Sequence, residues 1–166
     1  STRSFRLLPK LSSTRDSATP CVVDGRIFVI GGGTASVEEY QAQQQRWVSV
    51  PDMPRAVSAA AAVAFDGKLL VVGGRDSDGN TLSAVLEYDL GDRSWKELPS
   101  LLNARSRCVV IVLRGDVVVL GGSQGDGPSD EGLASAERYN RQSQCWEAMP
   151  SLTNPSLNLV AAVVQV

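Results

Sequence analysis

Short apolar runs separated by turn residues recur along the chain. Val22-Val23 precedes Asp24-Gly25 and the run Arg26 to Ile30 follows; Ala61 to Phe65 precedes Asp66-Gly67, and Val109 to Leu113 precedes Gly115-Asp116. Two β-rich runs joined by a tight turn of this kind predict a hairpin at each place. Glu39-Tyr40, Leu86 to Tyr88 and Glu137 to Tyr139 predict a third strand. The stretches ending in Trp-x-x-x-Pro predict a fourth, closed by a proline that has no N–H for a ladder.

These elements repeat with fixed spacing. Tyr40, Trp47 and Pro51 recur as Tyr88, Trp95 and Pro99 and again as Tyr139, Trp146 and Pro150, with steps of seven and four residues each time. From proline to diglycine, Pro9 to Gly31, Pro51 to Gly73 and Pro99 to Gly121, the step is always 22. The proline-to-proline repeats measure 42, 48 and 51 residues, and all the variation lies between diglycine and tyrosine, where the steps are 9, 15 and 18. Insertions collect where backbone can lengthen into solvent, so the two constant blocks are the structural elements and one loop absorbs the rest.

A four-stranded meander this short cannot cover both faces of its own sheet and must stack on its neighbours, and radial stacking of such sheets makes a propeller. The predicted class is therefore all-β, with blades of four antiparallel strands. A diglycine after an apolar strand, a Glu-Tyr pair and a tryptophan at fixed distance resemble the kelch repeat, here in three copies over essentially the whole of residues 1–166. The expected division is a partial repeat at 1–9, repeats at about 10–51, 52–99 and 100–150, and a partial repeat at 151–166. Departures are small: Arg138 takes the glutamate place before Tyr139, and Phe5 stands where a preceding repeat would carry its tryptophan.

Charge and composition narrow the function. Sixteen Lys and Arg against eighteen Asp and Glu leave a formal charge of -2, which draws the chain neither to nucleic acid nor to an anionic membrane. Ser1 to Lys10 contains no signal-like apolar core, and no apolar stretch approaches the roughly 18 residues of a membrane span, so a soluble protein is expected. The three cysteines, Cys21, Cys108 and Cys145, are odd in number and lack metal-type spacing, which points to a reducing compartment, the cytoplasm or the nucleus. No histidine occurs at all. That removes the commonest general base, the serine triad and most zinc or copper sites, so no cofactor, no metal and no enzymatic activity are expected.

Other chemistry is weighed against structure. Gly31-Gly32-Gly33 and the glycines from Gly121 to Gly127 lack the following helix and Lys-Ser/Thr of a phosphate loop, so they are expected to relieve strand ends or close blade contacts. The repeated tyrosines and tryptophans suit packing between blades better than stacking on bases or sugars. Asp76 and Asp78, with Gly79 and Asn80, lack the closing glutamate of a calcium loop and are expected to be solvated.

The resemblance implies that loops between second and third strands, with residues leading into the innermost strand, line a binding face. Those loops carry Arg75, Asp76, Asp78 and Asn80 in one repeat and Ser123, Gln124, Asp126, Asp130 and Glu131 in the next. Arg15 and Arg105 stand six residues after Pro9 and Pro99, where the family often has an arginine; Val57, with Arg55 two residues earlier, and Ser156 take that place elsewhere. Two roles are open to Arg15 and Arg105: bidentate capture of a partner's carboxylate, or internal pairing at the strand approach.

The expected function is a protein–protein interaction scaffold, the partner- or substrate-recognising part of a larger kelch protein such as a ubiquitin-ligase adaptor or cytoskeletal linker, with an acidic peptide segment as ligand. The alternative implied by the resemblance is a carbohydrate-binding or carbohydrate-isomerising propeller similar to sialic-acid mutarotases, which needs arginines and a carboxylate around an enclosed pocket. Three blades in an open arc would expose blade faces and strand edges, so self-association is expected. Multi-angle light scattering at high concentration should then give an oligomer, and a stable monomer would refute that expectation.

Overall fold

The computed structural model describes residues 7–125 and 130–156. The partial repeats expected at 1–9 and 151–166 extend outside those residues, and Asp126 lies outside them; Leu7 to Pro9 are irregular.

Twelve strands of five residues form among the described residues. They are β1 (Thr19–Val23), β2 (Arg26–Ile30), β3 (Val37–Gln41), β4 (Arg46–Val50), β5 (Ala61–Phe65), β6 (Lys68–Val72), β7 (Val85–Asp89), β8 (Ser94–Leu98), β9 (Val109–Leu113), β10 (Asp116–Leu120), β11 (Ala136–Asn140) and β12 (Cys145–Met149). They make three antiparallel sheets of four, each in sequence order: β1 to β4, β5 to β8 and β9 to β12. The innermost strands are neighbours, with β5 between β1 and β9. This is the expected stack of blades.

Local chemistry sets the hairpins. Asp24-Gly25 and Asp66-Gly67 both have positive φ at both positions, the turn whose twist matches that of the flanking strands. In the third blade the turn is Arg114-Gly115, with φ of 53° and 85°, so Asp116 opens β10 instead of belonging to the turn.

Alternation along the strands explains why one blade needs two neighbours. Side chains of β6 point alternately to opposite faces. Leu69 and Val71 enter the core shared with the first blade, while Leu70 and Val72 enter the core shared with the third. Both faces are buried, which is why β6 reads as a continuous apolar run.

The repeated aromatic and proline landmarks form one device. Tyr40 and Trp47, Tyr88 and Trp95, and Tyr139 and Trp146 are directly opposed on the third and fourth strands, with ring centroids 5.2, 4.9 and 5.4 Å apart. Each pair adds about 0.5–1.5 kcal/mol beyond the area it buries. Each indole then donates Nε1–H to the carbonyl of the proline ending the previous repeat: Trp47 to Pro9 at 3.0 Å, Trp95 to Pro51 at 2.8 Å and Trp146 to Pro99 at 2.9 Å. The tryptophan thus ties its blade to the one before it.

The diglycine ties it to the one after. The second glycine donates its N–H to the carbonyl of the residue six places beyond the next proline: Gly32 to Val57 at 2.9 Å, Gly74 to Arg105 at 2.9 Å and Gly122 to Ser156 at 2.8 Å. The chains come so close that a Cβ on Gly73, whose φ is +62°, would stand 2.1 Å from the Arg105 carbonyl oxygen. Gly79, with φ +84° in the β6–β7 loop, has open space around it. Gly73→Ala should cost about 3 kcal/mol or more, from strained φ plus collision, and Gly79→Ala about 1 kcal/mol from φ alone. Equal shifts of the urea midpoint in the two variants would show that close blade approach is not what the diglycine provides.

Candidate functional site

Arg15 and Arg105 lie inside their blades. Arg105 is fully buried. Its Nη1 donates to the carbonyls of Gly121 (2.7 Å) and Ser135 (3.1 Å), and its Nη2 to Ser135 Oγ (3.0 Å) and Glu137 Oε1 (2.5 Å). Arg15 repeats the pattern with Gly31, Ser36 and Glu38, at 2.7 to 2.9 Å. The glutamates go on to hold the segment leading into the innermost strand. Glu38 accepts from the Ser12 N–H at 3.0 Å; Glu137 accepts from the Leu102 N–H at 2.7 Å and the Asn103 N–H at 3.0 Å. Burial raises the Glu38 pKa, but hydrogen bonds from Arg15 and Ser12 outweigh it and hold the carboxyl below its ordinary range.

Of the two roles open to these arginines, the geometry is that of internal pairing. Their side chains are 2% and 0% exposed, and a partner's carboxylate would have to displace Glu38 or Glu137 to reach them. Nor do they converge on one pocket, as the carbohydrate reading requires; each is sealed within its own blade. The second blade shows what the set is for. Where the others have Arg, Ser and Glu it has Val57, Ala84 and Leu86, and where the glutamates accept from Ser12 and Leu102 it has Pro54, which has no N–H. Val57 and Leu86 are both 2% exposed and belong to one apolar cluster. All members of the polar set have changed together to an apolar one.

The side chain presented to solvent lies two residues further on. Ser17, Ala59 and Arg107 have φ of 57°, 50° and 52°, a left-handed conformation that breaks strand alternation just before each innermost strand. Backbone bonds join them from blade to blade: Ala59 donates to the Ser17 carbonyl at 3.0 Å and Arg107 to the Ala59 carbonyl at 2.8 Å. The rim has the same backbone in each blade and a different side chain, and Arg107 is its exposed cation. Sequence reading missed Arg107 because it sought an arginine at one repeated position, and this one occurs in a single blade.

The β6–β7 and β10–β11 loops stand beside this rim. Arg75 is 6% exposed; its Nε donates to Ser106 Oγ at 3.1 Å and its Nη2 to the Gly125 carbonyl. Burial and the nearby charge of Arg107 both lower the pKa of Arg75. Ser123, fully buried, donates to the Gly125 carbonyl at 2.7 Å and bonds Asp130, and its backbone pairs with Ser106 in both directions. These bonds and the Gly132 N–H lower the Asp130 carboxyl, with Arg107 contributing. Thr81 Oγ1 reaches the Gln124 carbonyl at 3.0 Å, joining the two loops.

Asp76 is occupied within its loop, accepting from the N–H groups of Asp78 (3.0 Å) and Asn80 (2.8 Å) and from Asn80 Nδ2 (3.0 Å), which hold its carboxyl below the usual range. Arg55 stands apart, paired with Glu97 on β8. The structure therefore brings together Arg75, Ser123, Gln124 and Asp130, adds Arg107, leaves Asp76, Asp78 and Asn80 at the loop's outer turn, and removes Arg15, Arg55 and Arg105.

Removing one partner of a buried ion pair strands the other, costing about 3–5 kcal/mol, whereas replacing the whole set by apolar groups is nearly neutral. Glu137→Leu should lose stability on that scale. The fourfold variant R105V/S135A/E137L with Leu102→Pro, which copies the second blade, should recover most of the loss in urea unfolding. A fourfold variant no more stable than Glu137→Leu would contradict the pairing role.

Three comparisons with known proteins agree with this architecture. The Kelch motif family matches at residues 14–54, 56–102 and 104–153. The chain is similar to Kelch repeat and BTB domain-containing protein 2 of Ectromelia virus (strain Moscow), 37% identical over 73 residues, 41% of this chain and 13% of that protein. It is similar to Kelch-like protein 35 of Homo sapiens, 38% identical over 63 residues, 35% of this chain and 11% of that protein. The matched stretches are thus a small part of these relatives' lengths. The solved structure of YjhT superposes with a TM-score of 0.75 at 18% identity, covering 88% of this chain and 53% of that one, which shows a shared fold. Three consecutive motif matches spanning most of the sequence place the chain in the kelch repeat family.

Proposed function

We propose that this chain is a protein-recognition module, without catalytic activity, that binds an acidic segment of a partner at the rim formed by Arg107 and the β6–β7 and β10–β11 loops. The observation that carries the reading is an exposed arginine, Arg107, set on the rim by a left-handed backbone beside two loops that are tied to each other, with the buried Arg75 and the carboxylate of Asp130 nearby. An incoming carboxylate accepts a charge-assisted hydrogen bond from Arg107. The loops beside it are fastened by Arg75 and Thr81, so little ordering cost falls on binding.

The chain supplies no histidine and, among the described residues, no cluster of acidic, cysteine or histidine side chains that could hold a metal, so binding alone is the simplest use of the site. The module serves as the recognition part of a larger protein, a substrate adaptor or cytoskeletal linker, in the reducing cytoplasm or nucleus; one similar protein carries both kelch repeats and a BTB domain in its name.

An array of synthetic peptides graded by acidic content tests this. Wild-type protein should favour the acidic peptides, and Arg107→Glu should weaken that binding about tenfold or more, since it replaces attraction by repulsion. Arg46→Glu, at the other end of the strands, should leave it unchanged. Equal binding by wild type and Arg107→Glu would overturn the reading.

A further inference from the structure

The two clefts between successive blades differ, although their backbones are equivalent. Between the first and second blades, Phe28 is fully buried and meets Tyr88 edge to face, centroids 6.5 Å apart; Tyr88 is 1% exposed, and Leu90 packs on the same cluster. Between the second and third blades, the place of Phe28 is taken by Leu70 and that of Leu90 by Arg141. Arg141 is drawn aside: its guanidinium lies 4.3 Å from the centre of the Phe65 ring and pairs with Asp66. Tyr139, the counterpart of Tyr88, is left half-buried, and a groove of about 400 Å³ opens between the blades.

The groove has the features of a binding site. Its volume is that of a small ligand pocket. Leu70 and Val85 form its floor, Phe65, Tyr139 and Trp146 contribute apolar wall, and Lys96, Glu87 and Arg141 stand at its edge. The charges at the edge are paired: Arg141 with Asp66, Glu97 with Arg55, and Glu87, 2.9 Å from both Lys96 and Lys68, has a carboxyl that burial raises in pKa but the two lysines hold below the usual range. The groove therefore attracts neither a strong anion nor a strong cation.

In the other cleft the position corresponding to Leu70 carries a phenyl ring of the chain itself, buried against Tyr88. We infer that the groove between the second and third blades is a second docking site, which receives a single phenylalanine or tyrosine side chain from a protein partner and holds it against Tyr139 as Phe28 is held against Tyr88. The ring enters beside the β5–β6 and β11–β12 turns, at strand ends opposite to those carrying the β6–β7 and β10–β11 loops. It is therefore independent of the acidic-segment site, and Arg107→Glu leaves it unchanged.

The probes are N-acetyl-phenylalaninamide and N-acetyl-leucinamide, titrated while the three indole N–H resonances are followed by NMR. Trp146 should shift with the phenylalanine probe, saturating in a roughly millimolar range. The leucine probe should bind about fivefold more weakly, the discrimination expected of a site shaped for a ring. Trp47 and Trp95 should not move. Leu70→Phe, which restores the ring of the first cleft, should abolish the Trp146 shift while the Trp47 and Trp95 resonances keep their folded positions. Phe28→Leu should conversely create a response at Trp95. Should either variant fail to fold, the comparison of the two probes on the wild-type chain decides alone. No Trp146 shift, equal response to both probes, or an unchanged response in a folded Leu70→Phe protein would each overturn the proposal.

Discussion

The backbone junction at the sixth residue after each proline holds the structure together. The carbonyls of Val57, Arg105 and Ser156 accept the N–H of the second glycine in the preceding blade, and their own N–H groups donate to Thr34, Leu82 and Leu133 in that blade's loop. A junction built on backbone admits any side chain, so arginine, valine and serine can all occupy the place. It also fixes geometry. The 22-residue step from proline to diglycine cannot change without moving the next innermost strand, whereas the β2–β3, β6–β7 and β10–β11 loops, which meet the junction through the carbonyls of Thr34, Leu82 and Leu133, differ in length elsewhere.

This constraint separates two jobs at neighbouring positions. Arg15, Val57 and Arg105 send their side chains into their own blades, where energetics favour a set of one kind: a buried guanidinium whose two terminal nitrogens are hydrogen-bonded and paired with a glutamate, or an apolar patch, but not a mixture. Two residues later, the left-handed φ at Ser17, Ala59 and Arg107 sets the side chain free from the blade core. Stability is thus settled at one position and recognition at the other. The three blades can differ at the rim without altering how they stack.

Much of the fold was legible in the sequence because each landmark has a single mechanical task that recurs. Four strands per repeat, the Asp-Gly turns, the close approach at the diglycines and the aromatic packing all follow from spacing, whereas the bond from each tryptophan to the proline of the previous repeat spans a variable stretch of chain and leaves no constant step to read. The site was less legible. Arg15 and Arg105 repeat, and repetition is the mark of a structural task; their partners Glu38 and Glu137, two residues before each tyrosine, could have revealed it, since Leu86 replaces glutamate in the blade that lacks the arginine. Arg107 occurs once, and only the backbone conformation shows that it faces outward. The cleft holding Tyr139 depends on the paired change of Phe28 to Leu70 and Leu90 to Arg141, which acquires meaning only when the blades are seen to be equivalent.

The most direct test of the central claim is native-state amide hydrogen exchange at the junction. If backbone contact between blades carries the fold, the N–H groups of Gly32, Gly74, Arg105 and Arg107 should exchange only through global unfolding, with the protection of the strand amides, while that of Ser77 in the β6–β7 loop exchanges freely. Junction amides that exchange as fast as Ser77, while the strands stay protected, would show that each blade is held by its side chains alone.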